Sequence, residues 1–207
     1  MSESKNLIQL VTEFSSEYMK KYGDPCHDFA HVLRVKNMAM KLATMANIKN
    51  KYRLQTIEIA ALLHDVADHK FAEKDENRDE IITDLLENHL DMKQIDTICN
   101  IVKNVSYTNE ITIGEVEMEK IVGMYPDLVF VQDADRLDAV GAIGVLRASS
   151  YGGYKNRPLQ KSIDHFDEKL FKLGDYIKTD AARAIMEERI RFMKMFKVQY
   201  NYEKYMN

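Results

Sequence analysis

The sequence predicts an all-α protein, a single-domain helical bundle. Two observations carry that expectation. Only three prolines and eight glycines interrupt 207 residues, so breakers are too sparse for a chain of short strands. Apolar residues recur at helical spacing through most of the chain, and no stretch alternates in the manner of strands joined by hairpin turns.

Leu7, Leu10, Val11, Phe14 and Tyr18 make residues 5–21 an amphipathic helix, stopped at Gly23-Asp24-Pro25. A second helix is expected from about His27 to Ala46, with Val32, Val35, Ala39 and Leu42 on its inner side. A third, roughly 52–67, runs into His64-Asp65. Residues 68–78 read as a polar loop, followed by helices near 79–89, 92–106 and 115–123. Pro126-Asp127 then caps a long helix from 128 to 148. Ser149–Pro158, with its Gly152-Gly153 pair, reads as the clearest loop and a substrate-facing segment. Helices over 162–175 and 179–205 complete the chain. Length, composition and the lack of a linker or repeat give one domain over 1–207.

The formal net charge is -4, which excludes a nucleic-acid binder held by bulk positive charge. A small anionic substrate needs only a few local cations and is allowed. Cys26 and Cys99 form neither a CxxC motif nor a disulfide framework, and no leader or membrane-spanning run is evident, so a cytoplasmic protein is expected. A homodimer is compatible with the composition.

The chemistry centres on His64-Asp65. A histidine and an aspartate set into an apolar helix are unfavourable unless something satisfies them, and a divalent metal accepts both. Taken alone, the pair is an ordinary salt-bridged core dipeptide, and His27-Asp28 is a second such pair. The context sharpens it. Upstream stands His31-Val32-Leu33-Arg34-Val35, and downstream stands Asp133-Ala134-Asp135-Arg136-Leu137-Asp138. Three polar groups on separate helices facing one core form a plausible ligand set of His, His-Asp and Asp.

In this order, HxxRV, HD after an apolar helix, and DADRLDAxGA, the chain resembles the HD-domain metal-dependent phosphohydrolases, and within them small bacterial members. The resemblance extends over most of the chain and takes in the Tyr151-Gly152-Gly153 segment and Ile163-Asp164-His165-Phe166. It implies one divalent ion (manganese, iron, nickel, cobalt, zinc or magnesium) held by His31, His64, Asp65 and Asp135. Asp133 is the rival fourth ligand; it lies about 200° around the helix from Asp135, so only one of the two can face the ion. Asp138 shares the face of Asp135 and is expected to support a ligand or touch substrate. Asp68, three residues after Asp65, is implied as the acid/base acting on water, so Asp65 and Asp68 are the catalytic carboxylates. Arg34, Lys70 and Arg157 are the expected phosphate holders. The absence of a histidine between His89 and His165 argues for a mononuclear site. The resemblance further implies a phosphorylated small-molecule substrate: a nucleotide, with a nucleoside triphosphate cut to monophosphate and pyrophosphate. The alternatives are a nucleoside monophosphate phosphatase and a non-catalytic nucleotide or metal sensor.

Overall fold

The structure, a computed structural model, describes residues 6–21, 28–67 and 77–206. Gly23-Asp24-Pro25, His27, the 68–76 part of the expected loop, and with it Asp68 and Lys70, lie outside the described residues. Among the described residues every regular element is helical.

The first three helices are α1 (Leu7–Lys20), α2 (Phe29–Met45) and α3 (Lys51–Leu63). After them come α4 (Arg78–Leu86), α5 (Met92–Asn104), α6 (Tyr107–Ile113), α7 (Glu115–Met124) and α8 (Leu128–Asp138). The chain continues with α9 (Gly141–Tyr154) and α10 (Leu159–His165), and closes with α11 (Asp180–Lys204). Side-chain oxygens start most of the long helices. Asn6, Asp28, Asn50, Asn77, Asp91 and Thr179 each accept a backbone N–H from the first turn that follows. Each such cap satisfies a donor that the helix itself cannot, and contributes about 1 kcal/mol.

The core is built around α3. Thr56, Ile57 and every residue from Ile59 to Leu63 are buried, so the helix is covered on all sides. It packs against α1, α2, α5 and α8, while α2 lies along both α3 and α8. That arrangement brings the start of α2, the end of α3 and the end of α8 to one place.

Five expectations need correction. The third helix ends at Leu63, not 67; residues 64–67 form a turn in which Ala67 takes a left-handed φ of 47°. The helix expected over 128–148 is two helices. Gly141, at φ 79°, reverses the chain after Asp138, a conformation that only glycine adopts without strain. The Ser149–Pro158 loop is mostly helix, because α9 continues to Tyr154. Gly152 acts in packing: a Cβ there would meet Ser162 Oγ of α10 at 2.2 Å, whereas one on Gly153 would meet nothing within 4 Å. Residues 107–113, unassigned in the sequence reading, form α6. Residues 162–175 are not one helix: α10 gives way to a π-helical turn (Phe166–Leu170) and a 3-10 segment (Phe171–Tyr176).

A buried polar network ties α6 to the last third of the chain. Arg136, 1% exposed, bonds Glu110 of α6 and donates to Tyr176 O at 2.6 Å. Lys178 Nζ reaches the other Glu110 oxygen at 2.7 Å. Such a network is destabilising if half satisfied, and here the carboxylate has two cations.

Candidate metal centre and cavity

His31 lies in the first turn of α2. Asp28 caps that turn, accepting His31 N–H at 2.9 Å. The aspartate of the 27–28 pair therefore sets the helix start that presents His31. His64 and Asp65 follow α3 directly, on the 64–67 turn. The turn is braced from outside: Arg78 donates to Val66 O at 2.9 Å and Ala67 O at 2.8 Å, and Ala67 N–H donates to Tyr18 Oη at 3.1 Å. These bonds hold the strained Ala67 conformation in place.

The two imidazoles are oriented by their Nδ1 atoms. His64 Nδ1 lies 2.8 Å from Ala61 O, a carbonyl that can only accept, so Nδ1 carries the proton. His31 Nδ1 lies 2.7 Å from Asp138 Oδ2, which likewise accepts. Both Nε2 atoms are thereby turned towards one another, 3.2 Å apart. Two neutral imidazoles in that pose would set lone pair against lone pair. Asp65 Oδ2 lies 3.4 Å from His31 Nε2 and 3.5 Å from His64 Nε2. Asp135 Oδ1 adds a fourth donor at 3.5 Å and 3.9 Å from the same two atoms.

A shared cation fits this arrangement. Donors about 2.1 Å from one ion sit about 3.0–3.5 Å from each other. The observed spacings are close to that, and one ligand atom each from His31, His64 and Asp65 falls within 4.8 Å of the others. Imidazole nitrogen and carboxylate oxygen suit first-row divalent metals. Protonation meets the same demand when no metal is bound. Burial by itself lowers the His31 pKa, but hydrogen bonds to Asp135, Asp138 and Asp65 outweigh it and raise the pKa to about 10, with the Arg147 charge opposing them. For Asp135, burial pushes the pKa up; His31 and His64 outweigh it and bring it down to about 2.

Asp138 is a support for His31. It also accepts from Arg34 Nε at 2.7 Å, Arg34 Nη2 at 3.0 Å and Arg147 Nη1 at 3.0 Å. Burial would raise its carboxyl pKa; His31 and Arg34 reverse that and hold it well below the usual range. Asp133 points away from the cluster. Its oxygens accept Lys178 N–H at 2.9 Å, and Thr179 N–H and Oγ1–H at 2.8 Å each, which anchors the start of α11.

His64, Asp65 and Asp135 open on a cavity of about 400 Å3. Among the described residues five cations line it: Arg78, Lys103, Arg136, Arg147 and Lys169, of which Arg136 is taken up by Glu110 and Tyr176 O. Ser106, Tyr107, Thr108 and Asn109 at the start of α6 form its far wall. Two of the three cations expected from sequence, Arg34 and Arg157, are placed elsewhere, and Lys70 lies outside the described residues. Arg34 is committed to Asp138 and faces a different groove. Arg157 is exposed and stacks over the Tyr151 ring, 5.2 Å from its centroid. None of these lining cations was expected from sequence. Arg147 had a legible signal: it is the only charge between Ala139 and Tyr154. Lys103 had a similar one, as the only charge between Asp96 and Glu110, whereas Arg78 and Lys169 sit in charged surroundings and carried none.

Known proteins place this geometry in a family. The HD-domain family model matches residues 28–140, which contain all four residues of the cluster. YpgQ of Bacillus subtilis is 34% identical over 175 residues, 82% of this chain and 80% of YpgQ. Its crystal structure in complex with ADP superposes with a TM-score of 0.77 at 28% identity, covering 95% of this chain and 97% of that one. An HD-superfamily hydrolase of Bacillus thuringiensis gives a TM-score of 0.73 at 33% identity, with 97% of both chains covered. Protein L803 of Acanthamoeba polyphaga mimivirus is 30% identical over 163 residues, 74% of this chain and 63% of the viral protein. With its histidines and aspartates gathered from α2, the α3 turn and α8, the chain belongs to the HD-domain family.

Proposed function

We propose that this protein is a metal-dependent phosphohydrolase that acts on a nucleotide, cutting a nucleoside triphosphate to monophosphate and pyrophosphate. One observation carries the reading: a single cavity joins the His31, His64, Asp65 and Asp135 cluster to five cationic side chains among the described residues. A phosphate chain needs that combination, because cations must neutralise charge on its oxygens where the bond breaks. A cavity of about 400 Å3 lies within the range of small-molecule sites. The bound ADP of the YpgQ structure supports a nucleotide for this chain too.

In this reading His31, His64, Asp65 and Asp135 hold the ion. A divalent metal there supplies an acidified water and polarises a phosphoryl oxygen. Arg147 and Lys169 hold the phosphates beside the cluster, and Arg78 and Lys103 extend the cationic lining. Asp138 keeps the His31 ring in register. Asp68, three residues beyond Asp65, is the proposed acid/base for the attacking water. Lys70 is a further proposed phosphate contact. The wall of α6 receives the rest of the nucleotide.

The test is a product-resolved screen. Purified protein with manganese is given nucleoside triphosphates and monophosphates, and the products are separated. Pyrophosphate release that stops on chelation and returns with metal is the expected result. Inorganic phosphate from monophosphates would replace the proposed reaction with a phosphatase. No turnover of either would leave a sensor.

A further inference from the structure

On the far side of Asp138 from the metal cluster, α2, α8, α9 and α11 enclose a second groove of about 240 Å3. Three cations line it: Arg34 and Lys41 of α2, and Arg189 of α11. Met38 and Ile143 close its apolar side. The cations keep donors to spare. A guanidinium carries five N–H groups. Arg34 gives Nε and Nη2 to Asp138, and among the described residues its Nη1 has no partner. Arg189 gives Nη1 to Leu137 O at 2.5 Å, and its Nε and Nη2 are likewise uncommitted. Lys41 is exposed and has no ion pair or hydrogen bond among the described residues.

The acids nearby do not cancel this charge. Among the described residues Asp138 is the one carboxylate lining the groove, and it is already shared by His31, Arg34 and Arg147. Asp28 acts on Arg34, and Glu188 on Arg189, only through their charges, without a hydrogen bond. A concave, cation-lined wall of this kind raises the local concentration of anions. Its size selects among them. Sites for drug-sized ligands run from about 300 to 1,000 Å3, and this groove is smaller.

We infer that the groove between α2 and α11 is a binding site for a small phosphoryl oxyanion, inorganic phosphate or pyrophosphate, held by Arg34, Lys41 and Arg189. It is distinct from the substrate cavity, because no described residue lines both. The two are nonetheless joined through Asp138, which bonds Arg34 on one side and His31 on the other. An anion that draws Arg34 outward changes how Asp138 holds His31, so the two sites influence each other reciprocally.

The experiment uses the full chain freed of metal with EDTA, so that neither turnover nor metal-bound phosphate contributes. Pyrophosphate is titrated in while arginine Nε–Hε resonances are followed by NMR, with Arg34→Lys, Arg147→Lys and Arg189→Lys supplying the assignments. The Arg34 and Arg189 signals should shift together along one saturable isotherm. Lys41→Glu should weaken that isotherm at least about tenfold, the loss expected from one charged contact. The isotherm at Arg147, in the substrate cavity, should change by much less than that at Arg34 and Arg189. Arg34 and Arg189 signals that stay fixed at high pyrophosphate, or an isotherm that Lys41→Glu leaves intact, would overturn the inference. The metal-free format separates this outcome from that of the hydrolytic reading.

Discussion

Asp133 and Asp135 are two residues apart and do different work. Asp135 faces the imidazoles, and Asp133 holds the start of α11. Their substitutions should therefore separate metal binding from stability. Asp135→Asn is expected to lose manganese affinity in a calorimetric titration. Asp133→Ala should lose stability instead. It leaves the Lys178 and Thr179 donors without their acceptor, at a cost of about 1–3 kcal/mol in urea unfolding, and metal affinity should hold. The opposite pattern would transfer the ligand role to Asp133. Asp138 provides a third case. It never approaches His64, yet it fixes the proton and the plane of His31. Asp138→Asn should weaken metal binding by about 10–100-fold with little change in fold, read by the same titration and by circular dichroism.

At the scale of elements, the hand-over from α8 to α9 leaves no room for a side chain at Gly144. Gly144 lies where a Cβ would meet Ala139 O at 2.3 Å, a backbone atom that cannot turn aside. Gly144→Ala should lower stability by about 1–3 kcal/mol, since the junction must shift to admit one methyl. Gly123, in α7, is the control, because a Cβ there meets nothing within 4 Å. Gly123→Ala should raise stability by about 0.5–1 kcal/mol through helix propensity alone. Urea unfolding of both variants checks the pair; equal effects would mean that the α8–α9 junction is looser than its geometry indicates.

For the molecule as a whole, the cluster makes stability depend on pH and metal together. The His31 pKa is raised from 6.5 to about 10 in the metal-free fold. Its protonation therefore stabilises that fold fully below pH 6.5, and the contribution is lost as pH rises through about 10. Asp135 has the opposite sign. Its pKa is lowered from 3.8 to about 2, so its contribution is present above 3.8 and is lost as pH falls through about 2. A bound metal displaces the His31 proton and takes over its role. The gain in Tm on adding metal should therefore grow as pH rises from 6.5, measured by thermal unfolding with and without manganese. At saturating metal, about 100-fold above Kd, the stabilisation should be about 2.7 kcal/mol. A gain that shrinks with rising pH would show that His31 is not protonated in the metal-free state.

By itself the sequence determined the all-α class, the central place of α3, and the order of polar motifs that ends in the four clustered residues. Those are local or periodic properties: apolar spacing sets the helices, and 200° of rotation separates Asp133 from Asp135. The tertiary structure decided what each charge meets. Arg34 and Arg147 look alike in sequence, but the packing of α2 and α9 on α8 puts both on Asp138 and opens only Arg147 to the substrate cavity. It also decided that Gly152 packs against α10 where a loop was expected, and that α6, pinned by Glu110 to Arg136 and Lys178, forms the cavity's far wall. Those outcomes depend on partners 9 to 104 residues away in the chain, and a helix's own periodicity carries no record of which neighbour will cover it.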